Sequence, residues 1–248
     1  MDNKIYSIEN LQFKQDGFNL SVDTLTIEKN EKIAVLGENG SGKTTFLNII
    51  SGFNKNYKGK VLFQNTEMRN LSFDNRSKLL SYLPQFSEIH FGYTVFETIL
   101  FGRFPHLQGN NFSEEDIKKT EKLILKFNLE KYKNKSYSHL SGGEKRRVMI
   151  ARILNQESPV LLLDEPTSMI DIKYSISIYD FLSNLTSSTI IATIHDINLA
   201  LKFFNRFIFM KNGKILYNLI KEEINKEVLY NVYEVEFNNF GNFFFIGK

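Results

Sequence analysis

A glycine-rich segment is the first part of the sequence whose residue types could do chemistry. It matches the pattern G-x-x-x-x-G-K-[ST] and consists of Gly37, Glu38, Asn39, Gly40, Ser41, Gly42, Lys43, Thr44 and Thr45. Glycines let the backbone N–H groups turn inward, and the start of a following helix favours a bound phosphate. Lys43 is expected to neutralise the β- and γ-phosphates, and Thr44 to place its hydroxyl on Mg²⁺. The segment predicts a phosphate site of the kind that kinases, GTPases and ATPases share.

Two acidic residues follow a second apolar run. Val160–Leu163 predicts a buried strand that ends in Asp164 and Glu165, and Pro166 comes next. Asp164 is placed to hold Mg²⁺. Glu165 is expected to point elsewhere, because successive strand residues face opposite sides, and to deprotonate a water that attacks the γ-phosphate. Alone, two such acids are more often the solvated start of a loop, but beside a phosphate-binding segment they indicate phosphate hydrolysis.

A second glycine-containing turn, Ser141, Gly142 and Gly143, opens a basic amphipathic helix. Exposed N–H groups at a helix start form a second anion site. Two phosphate sites in one domain are explained if two copies pair head to tail, so that each helix start caps the γ-phosphate held by the other copy. In isolation the same turn would be read as an ordinary N-cap with flexible glycines.

The elements that must position these residues alternate between short β-rich runs and longer amphipathic runs, which favours an α/β fold with a mostly parallel core sheet. Predicted strands cover residues 4–29 (two or three antiparallel strands), 32–36, 160–163, 189–194 and 207–210. Residues 44–51 predict a helix. Between about residues 84 and 140 helical signals replace strand signals, including a capping box of Ser113 with Asp116. The sequence therefore predicts a helical insert within the sheet.

Composition excludes several classes of protein. The 248 residues are 42% hydrophobic and 24% charged, which indicates one folded domain or a large domain with a small insert. The absence of cysteine excludes disulfides and thiolate metal sites. A net charge of +3, with no basic cluster larger than Lys145 to Arg147, argues against a nucleic-acid partner. No apolar run is long enough to span a bilayer and no leader pattern precedes the chain, so we expect a cytosolic protein.

Five motifs in this order resemble those of the ATP-binding subunits of ABC transporters. The phosphate segment is similar to the Walker A motif, Val160 to Glu165 to Walker B, and Leu140 to Glu144 to the signature. Gln85 resembles the glutamine of the Q-loop, and His195 resembles the switch histidine. The resemblance spans residues 5–236 and implies a P-loop NTPase fold with N-terminal antiparallel β strands and an inserted helical subdomain.

The resemblance also implies cofactors and roles. ATP would be the nucleotide, with Mg²⁺ held by Thr44, Gln85 and Asp164, and catalysis would fall to Glu165 and His195, the latter contacting the γ-phosphate. It further implies one ATP-binding domain over residues 1–248, with a helical insert at about 86–140 and a core that resumes at 141–236. Beyond the resemblance, the Asn and Gly residues of the Phe-rich end predict a C-terminal hairpin at 237–248. The adenine-stacking aromatic is expected to be Phe13 or Phe18, which both lie near the expected spacing before Walker A and would equally serve as core or strand residues. We favour Phe13.

The stretch from Thr94 to His106 is similar to importer subunits for iron complexes, including ferric siderophores, haem and cobalamin. That resemblance implies a homodimer beneath two permease subunits, at the cytoplasmic face of the membrane. Phe86, Phe91 and Tyr93 are expected to form an aromatic groove for permease helices, and they would equally serve as core of the insert. The alternative function is a cytosolic ABC ATPase of an assembly system, such as iron–sulfur cluster maturation, which would have a soluble scaffold as its partner.

Overall fold

A computed structural model describes residues 3–85, 92–107, 109–241 and 243–246. Its strands are β1 (Lys4–Gln15), β2 (Phe18–Glu28), β3 (Lys32–Leu36), β4 (Lys58–Phe63), β5 (Thr66–Glu67), β6 (Leu80–Leu83), β7 (Val160–Leu163), β8 (Thr189–Thr193), β9 (Arg206–Lys211), β10 (Lys214–Ile220), β11 (Phe237–Phe240) and β12 (Phe243–Ile246). Its helices are α1 (Lys43–Ile50), α2 (Phe73–Leu79), α3 (Val95–Leu100), α4 (Glu114–Lys126), α5 (Gly142–Asn155), α6 (Ile172–Ser183), α7 (Ile197–Phe203) and α8 (Lys226–Tyr233). The chain divides into two compact units, residues 1–71 with 179–248, and residues 72–178.

The first unit combines antiparallel and parallel strands. Its strands are ordered β5-β4-β1-β2-β10-β9-β3-β8. The N-terminal strands β1, β2 and β4 pair antiparallel, whereas β3 pairs parallel with both β8 and β9. Every residue of β3 and β8 is buried, as expected for central parallel strands that are covered on both faces.

In the described residues of the second unit, β6 and β7 form a parallel pair, accompanied by helices α2, α3, α4 and α5. Strands β6 and β7 pair in register, with Leu80 opposite Val160 and Leu83 opposite Leu163. Within described residues 92–140, helices α3 and α4 alternate with short 3-10 turns, and a single bridge joins Thr94 to Ser136. The predicted fold class, a mixed α/β fold with a parallel core, N-terminal antiparallel strands and a helical insert, is confirmed.

Local sequence signals account for several boundaries. The capping box of Ser113 with Asp116 begins α4, and a second capping box at Thr94 begins α3. Strands β4, β5, β6 and β10 are not predicted from the sequence. β4 opens with three exposed residues and β10 alternates between exposed and half-buried positions, so neither strand carries a continuous apolar run. No helix in the described part of the chain is both long and apolar enough to cross a bilayer.

Candidate functional site

The phosphate segment forms a loop between buried β3 and helix α1. Gly37, Gly40 and Gly42 all have positive φ angles, of 143°, 79° and 104°. Gly42 is the N-cap of α1 and supplies no side-chain cap, so the first N–H groups of the helix face the loop without an acceptor from a capping side chain. Such a loop concentrates donors and the positive end of the helix dipole at one point, which suits a phosphate.

Glycine at position 37 is required by the packing of the loop. A β-carbon there would lie 2.1 Å from the carbonyl oxygen of Met210 in β9. The parallel pairing of β3 with β9 brings this carbonyl against the loop, with Leu36 opposite Phe209. Glycine at position 37 therefore allows both the positive φ of the turn and the close approach of the loop to the β9 backbone.

Lys43 is folded back onto the loop. Its Nζ donates hydrogen bonds to the carbonyl oxygens of Gly37, at 2.7 Å, and Glu38, at 2.8 Å, and the side chain is buried. Glu38 and Asn39 are exposed, whereas Thr44 and Thr45 are half-buried. A cation held at the rim of an N–H-lined loop is placed to neutralise a phosphate.

His195 lies in the first unit, as the phosphate loop does. Strand β8 pairs parallel with β3, with Val35 opposite Thr193, so both strands end at the same edge of the sheet. The Ile194 N–H donates to the Val35 carbonyl at 3.1 Å, and the exposed His195 follows. Asp196 then caps α7 by accepting hydrogen bonds from the N–H groups of Asn198 and Leu199.

The acidic residues lie in the second unit, together with Gln85. Because β6 and β7 are parallel and in register, Gln85 and Asp164 emerge at the same edge. The Asp164 N–H donates to the Leu83 carbonyl at 2.8 Å, and the residue is fully buried. Burial, together with the charge of Asp164, raises the pKa of Tyr82.

Glu165 corrects one part of the sequence reasoning. The strand ends at Leu163, and Glu165 has a φ of 48°, in the left-handed region. Its direction is therefore set by a turned backbone and not by the alternation of strand residues. A non-glycine residue in this conformation is unusual and is often associated with functional sites.

The signature turn, Ser141 to Glu144, forms a capping box that does not use the N–H groups of its two glycines. The Oγ of Ser141 accepts from the Glu144 N–H at 3.4 Å, and Glu144 Oε2 accepts from the Ser141 N–H at 2.9 Å. Of the four orphan donors at the start of α5, only those of Gly142 and Gly143 are not used by this box. The turn is thus an ordinary N-cap and also presents two adjacent N–H donors.

The structure corrects the preference for Phe13 as the adenine-stacking aromatic. Phe13 lies in β1 opposite Leu20 and is only 6% exposed, so it belongs to the core. Phe18, at the start of β2, lies against the phosphate loop, because a β-carbon on Gly42 would be 2.8 Å from its Cζ. Of the other expected aromatics, Phe86 and Phe91 lie outside the described residues.

Two oxygen donors of the second unit suit a hard cation that also binds phosphate oxygens and water. Asp164 offers a buried carboxylate and Gln85 an amide oxygen. Thr44, in the first unit, carries a hydroxyl. No group of three or more His, Asp or Glu residues that could hold a metal by themselves is found in the part of the chain that the structure describes. Such a donor set matches Mg²⁺, which is usually bound through one or two carboxylates and substrate phosphates.

Sequence reasoning misses one residue at this site, Arg146 of α5. We call the acidic edge the end of the β6–β7 pair at which Gln85, Asp164 and Glu165 follow the strands. The Arg146 guanidinium donates to backbone carbonyls of both segments at this edge, including those of Gln85 and Glu165. Neither its residue type nor its spacing within the basic run distinguishes it from the neighbouring arginine, so no sequence signal marks it.

Comparison with known proteins decides the family. The ABC transporter family profile matches residues 20–168, more than half of the chain. The chain belongs to the ABC transporter family. An uncharacterised ABC transporter ATP-binding protein of Methanocaldococcus jannaschii is 38% identical over 213 residues, which are 85% of this chain and 83% of that protein.

Two further relatives of this ABC protein carry more specific names. A petrobactin import ATP-binding protein of Bacillus anthracis is 32% identical, over 90% of this chain and 81% of its own length. A hemin import ATP-binding protein of Escherichia coli O157:H7 is 32% identical, over 86% of this chain and 85% of its own length.

A solved structure supports the same assignment. An ATP-binding cassette in a dimeric post-hydrolysis state with ADP and phosphate is 28% identical, with a TM-score of 0.74, over 87% of this chain and 98% of that one. The family match and this structural similarity together show that the ABC protein is an ATPase.

Proposed function

We propose that this ATPase powers an importer for an iron complex such as a ferric siderophore. The observation that carries the proposal is the presence of two helix-start anion sites in one chain, the loop before α1 and the two glycine N–H groups that the Ser141 capping box leaves over. A single triphosphate does not need two such sites in one chain, whereas a head-to-tail pair of chains uses both. Relatives named for petrobactin and hemin import support the choice of cargo.

The proposed reaction is hydrolysis of the γ-phosphate of ATP. A water oxygen attacks the γ-phosphorus while the Glu165 carboxylate accepts a proton from that water. The bond from the γ-phosphorus to the bridging oxygen breaks, which leaves ADP and inorganic phosphate. Mg²⁺, when bound, neutralises the phosphate charge that develops.

The remaining site residues bind and orient the nucleotide in this proposal. Lys43 exchanges the two loop carbonyls that it now contacts for the β- and γ-phosphate oxygens. Thr44, Asp164 and Gln85 provide oxygen ligands for Mg²⁺, and His195 donates to the γ-phosphate. Phe18, beside Gly42, takes the adenine-facing position. One ATP-binding domain over residues 1–248 carries all of these roles.

Two permease subunits are the proposed membrane partners, and they would hold the chain at the cytoplasmic face. The second unit offers a pocket of about 530 Å³ whose lining includes Phe73, Phe101, Phe104, Arg152 and Gln156. Phe73 and Phe104 are 73% and 51% exposed, which is unusual for side chains of that size. A pocket that combines three phenylalanines with charged and polar side chains suits one face of an amphipathic permease helix.

The decisive experiment for hydrolysis uses Glu165→Gln. The variant should still bind MgATP, lose nearly all turnover and accumulate as an ATP-dependent dimer in light scattering, because the amide cannot accept the proton. Glu222→Gln, at an exposed position, is the matched control and should hydrolyse ATP like the wild type. A Glu165→Gln protein that stays monomeric with ATP and retains full turnover would refute the assignment.

The cargo is tested on the intact complex. The chain is co-expressed with its permeases and reconstituted, and its ATPase rate is measured with ferric petrobactin, a ferric hydroxamate or hemin presented by the cognate binding protein. Stimulation by one of these compounds supports iron-complex import. Co-purification with a soluble scaffold and no permease would instead favour the assembly function.

A further inference from the structure

Arg146 lies one turn into α5, and its side chain is buried, with 7% of the residue exposed. The Nη1 atom donates hydrogen bonds to the carbonyl oxygens of Pro84, at 2.8 Å, and Gln85, at 3.1 Å. These two carbonyls belong to the segment that leaves the sheet directly after β6. The arginine therefore holds the backbone that carries the Gln85 side chain.

The same guanidinium also holds the backbone after β7. Nη2 donates to the carbonyl oxygens of Asp164 and, at 2.8 Å, Glu165, and Nε donates to that of Pro166 at 3.1 Å. The left-handed conformation of Glu165 takes its backbone out of the sheet ladder, so these carbonyls need another donor. One side chain satisfies carbonyls in two segments that are about eighty residues apart in sequence.

The neighbouring Arg147 makes a different set of contacts. It donates to the carbonyl oxygens of Phe127 and Asn128, at 2.8 Å and 3.2 Å, and its guanidinium lies 4.5 Å from the centroid of the Tyr174 ring. Both arginines are buried and both bind backbone, yet only Arg146 reaches the acidic edge. Arg147 therefore provides a matched control for the loss of a buried, hydrogen-bonded arginine.

We propose that Arg146 is a positioning residue for ATP hydrolysis, which sets the backbone of Gln85 and Glu165 relative to the start of α5. The inference rests on the proposed role of Glu165. Arginine is needed because its planar fork offers five donors in fixed directions, whereas lysine has a single flexible ammonium and cannot hold both segments at once. Arg146 itself need not touch the nucleotide.

The test compares Arg146→Lys with Arg147→Lys in the full chain, assayed alone or with its permeases. Arg146→Lys should lower kcat by about tenfold or more while the Kd for ATP stays within about twofold, because an error of about 1 Å in catalytic geometry costs rate and not nucleotide affinity. Arg147→Lys should lower thermal stability to a similar extent but keep kcat within about twofold of the wild type.

A double variant separates positioning from a general structural role. If Arg146 acts through Glu165, Arg146→Lys should cause no further loss of turnover in the Glu165→Gln background. Unchanged kcat in Arg146→Lys, equal losses of kcat in both arginine variants, or a parallel loss of ATP affinity would overturn the inference. If neither Arg146→Lys nor Arg146→Gln folds, the role is structural and the inference is also overturned.

Failure of the proposed function gives a different result. A wild-type chain with no turnover in the presence of its permeases would reject the proposed function and the inference together. Normal wild-type turnover with an inactive Glu165→Gln and an unaffected Arg146→Lys would reject only the inference.

Discussion

Gly143 and Met169 are in contact through their backbones. A β-carbon at Gly143 would lie 2.7 Å from the Met169 carbonyl oxygen, a distance that side-chain carbons do not reach without a backbone shift. Met169 has a positive φ of 63° and a largely exposed side chain. The backbone of Gly143, the second glycine of the signature turn, therefore packs against the segment that follows Glu165.

Replacement of this glycine should be costly. Gly143→Ala forces a backbone to move, so we expect a loss of about 1–3 kcal/mol in the free energy of unfolding. At Gly142 the nearest atom is the Met169 Sδ, at 3.3 Å, which can rotate away. Gly142→Ala should change stability by less than about 1 kcal/mol. Urea unfolding of both variants checks the difference, and equal losses would contradict it.

Substitutions at Gly37 and Gly17 distinguish the cost of a strained backbone from the cost of a steric collision. Gly37→Ala meets both a positive φ and the Met210 carbonyl at 2.1 Å, so we expect loss of ATP binding and marked destabilisation. Gly17→Ala meets a positive φ of 80° with nothing within 4 Å, and should cost only about 1–2 kcal/mol while ATP binding is retained. Nucleotide titration and urea unfolding measure both effects. A Gly37→Ala protein that binds ATP normally would contradict the close packing of the loop on β9.

The loss of folding stability at acid pH should depend in part on Asp116. Burial raises the pKa of this carboxyl, but hydrogen bonds from Arg103 and Ser113 and the charge of Arg103 outweigh that effect and lower the pKa to about 2. A lowered pKa contributes stability that is present above the ordinary value near 3.8 and is lost as the pH falls towards 2.

Asp116→Asn should therefore destabilise the protein at pH 7 and weaken the dependence of its stability on pH between about 4 and 2. The buried Nε of Arg103, which is 2.7 Å from Asp116 Oδ1, would lose this carboxylate, although Nη1 would keep its pairing with Glu157. Urea unfolding at several pH values gives the comparison. The control is Glu114→Gln, at an exposed position in the first turn of the same helix, which should cost little stability at pH 7.

The aromatic pocket should matter for permease binding and not for hydrolysis by the chain itself. Phe73→Ser and Phe104→Ser are expected to weaken co-purification with the permeases, because each removes exposed apolar surface next to the pocket. Basal ATPase activity of the isolated chain should change little. Leu125→Ser, which alters an exposed apolar residue of α4, should leave co-purification unchanged. If all three variants co-purify like the wild type, the permeases dock elsewhere.

Elements with a strong local signal can be predicted from the sequence. β3 and β7 have the bounds that the sequence predicts, 32–36 and 160–163, and Ser113 begins α4 through its capping box with Asp116. In each case the signal lies within a few residues, where propensity and capping act directly.

The sequence by itself determined the phosphate loop, the acidic pair and the signature turn, because each is a contiguous pattern of residue types. Only the tertiary structure decided the turned backbone at Glu165, the close approach of Gly143 to Met169 and the contacts of Arg146. These features depend on segments that are distant along the chain and meet only when the strands pair and the helices pack. Residue types within a short window do not indicate which distant segments will pack together. Arg146 lies in a basic run that is typical of a solvated surface, yet it is buried and donates hydrogen bonds to the segments that follow two strands.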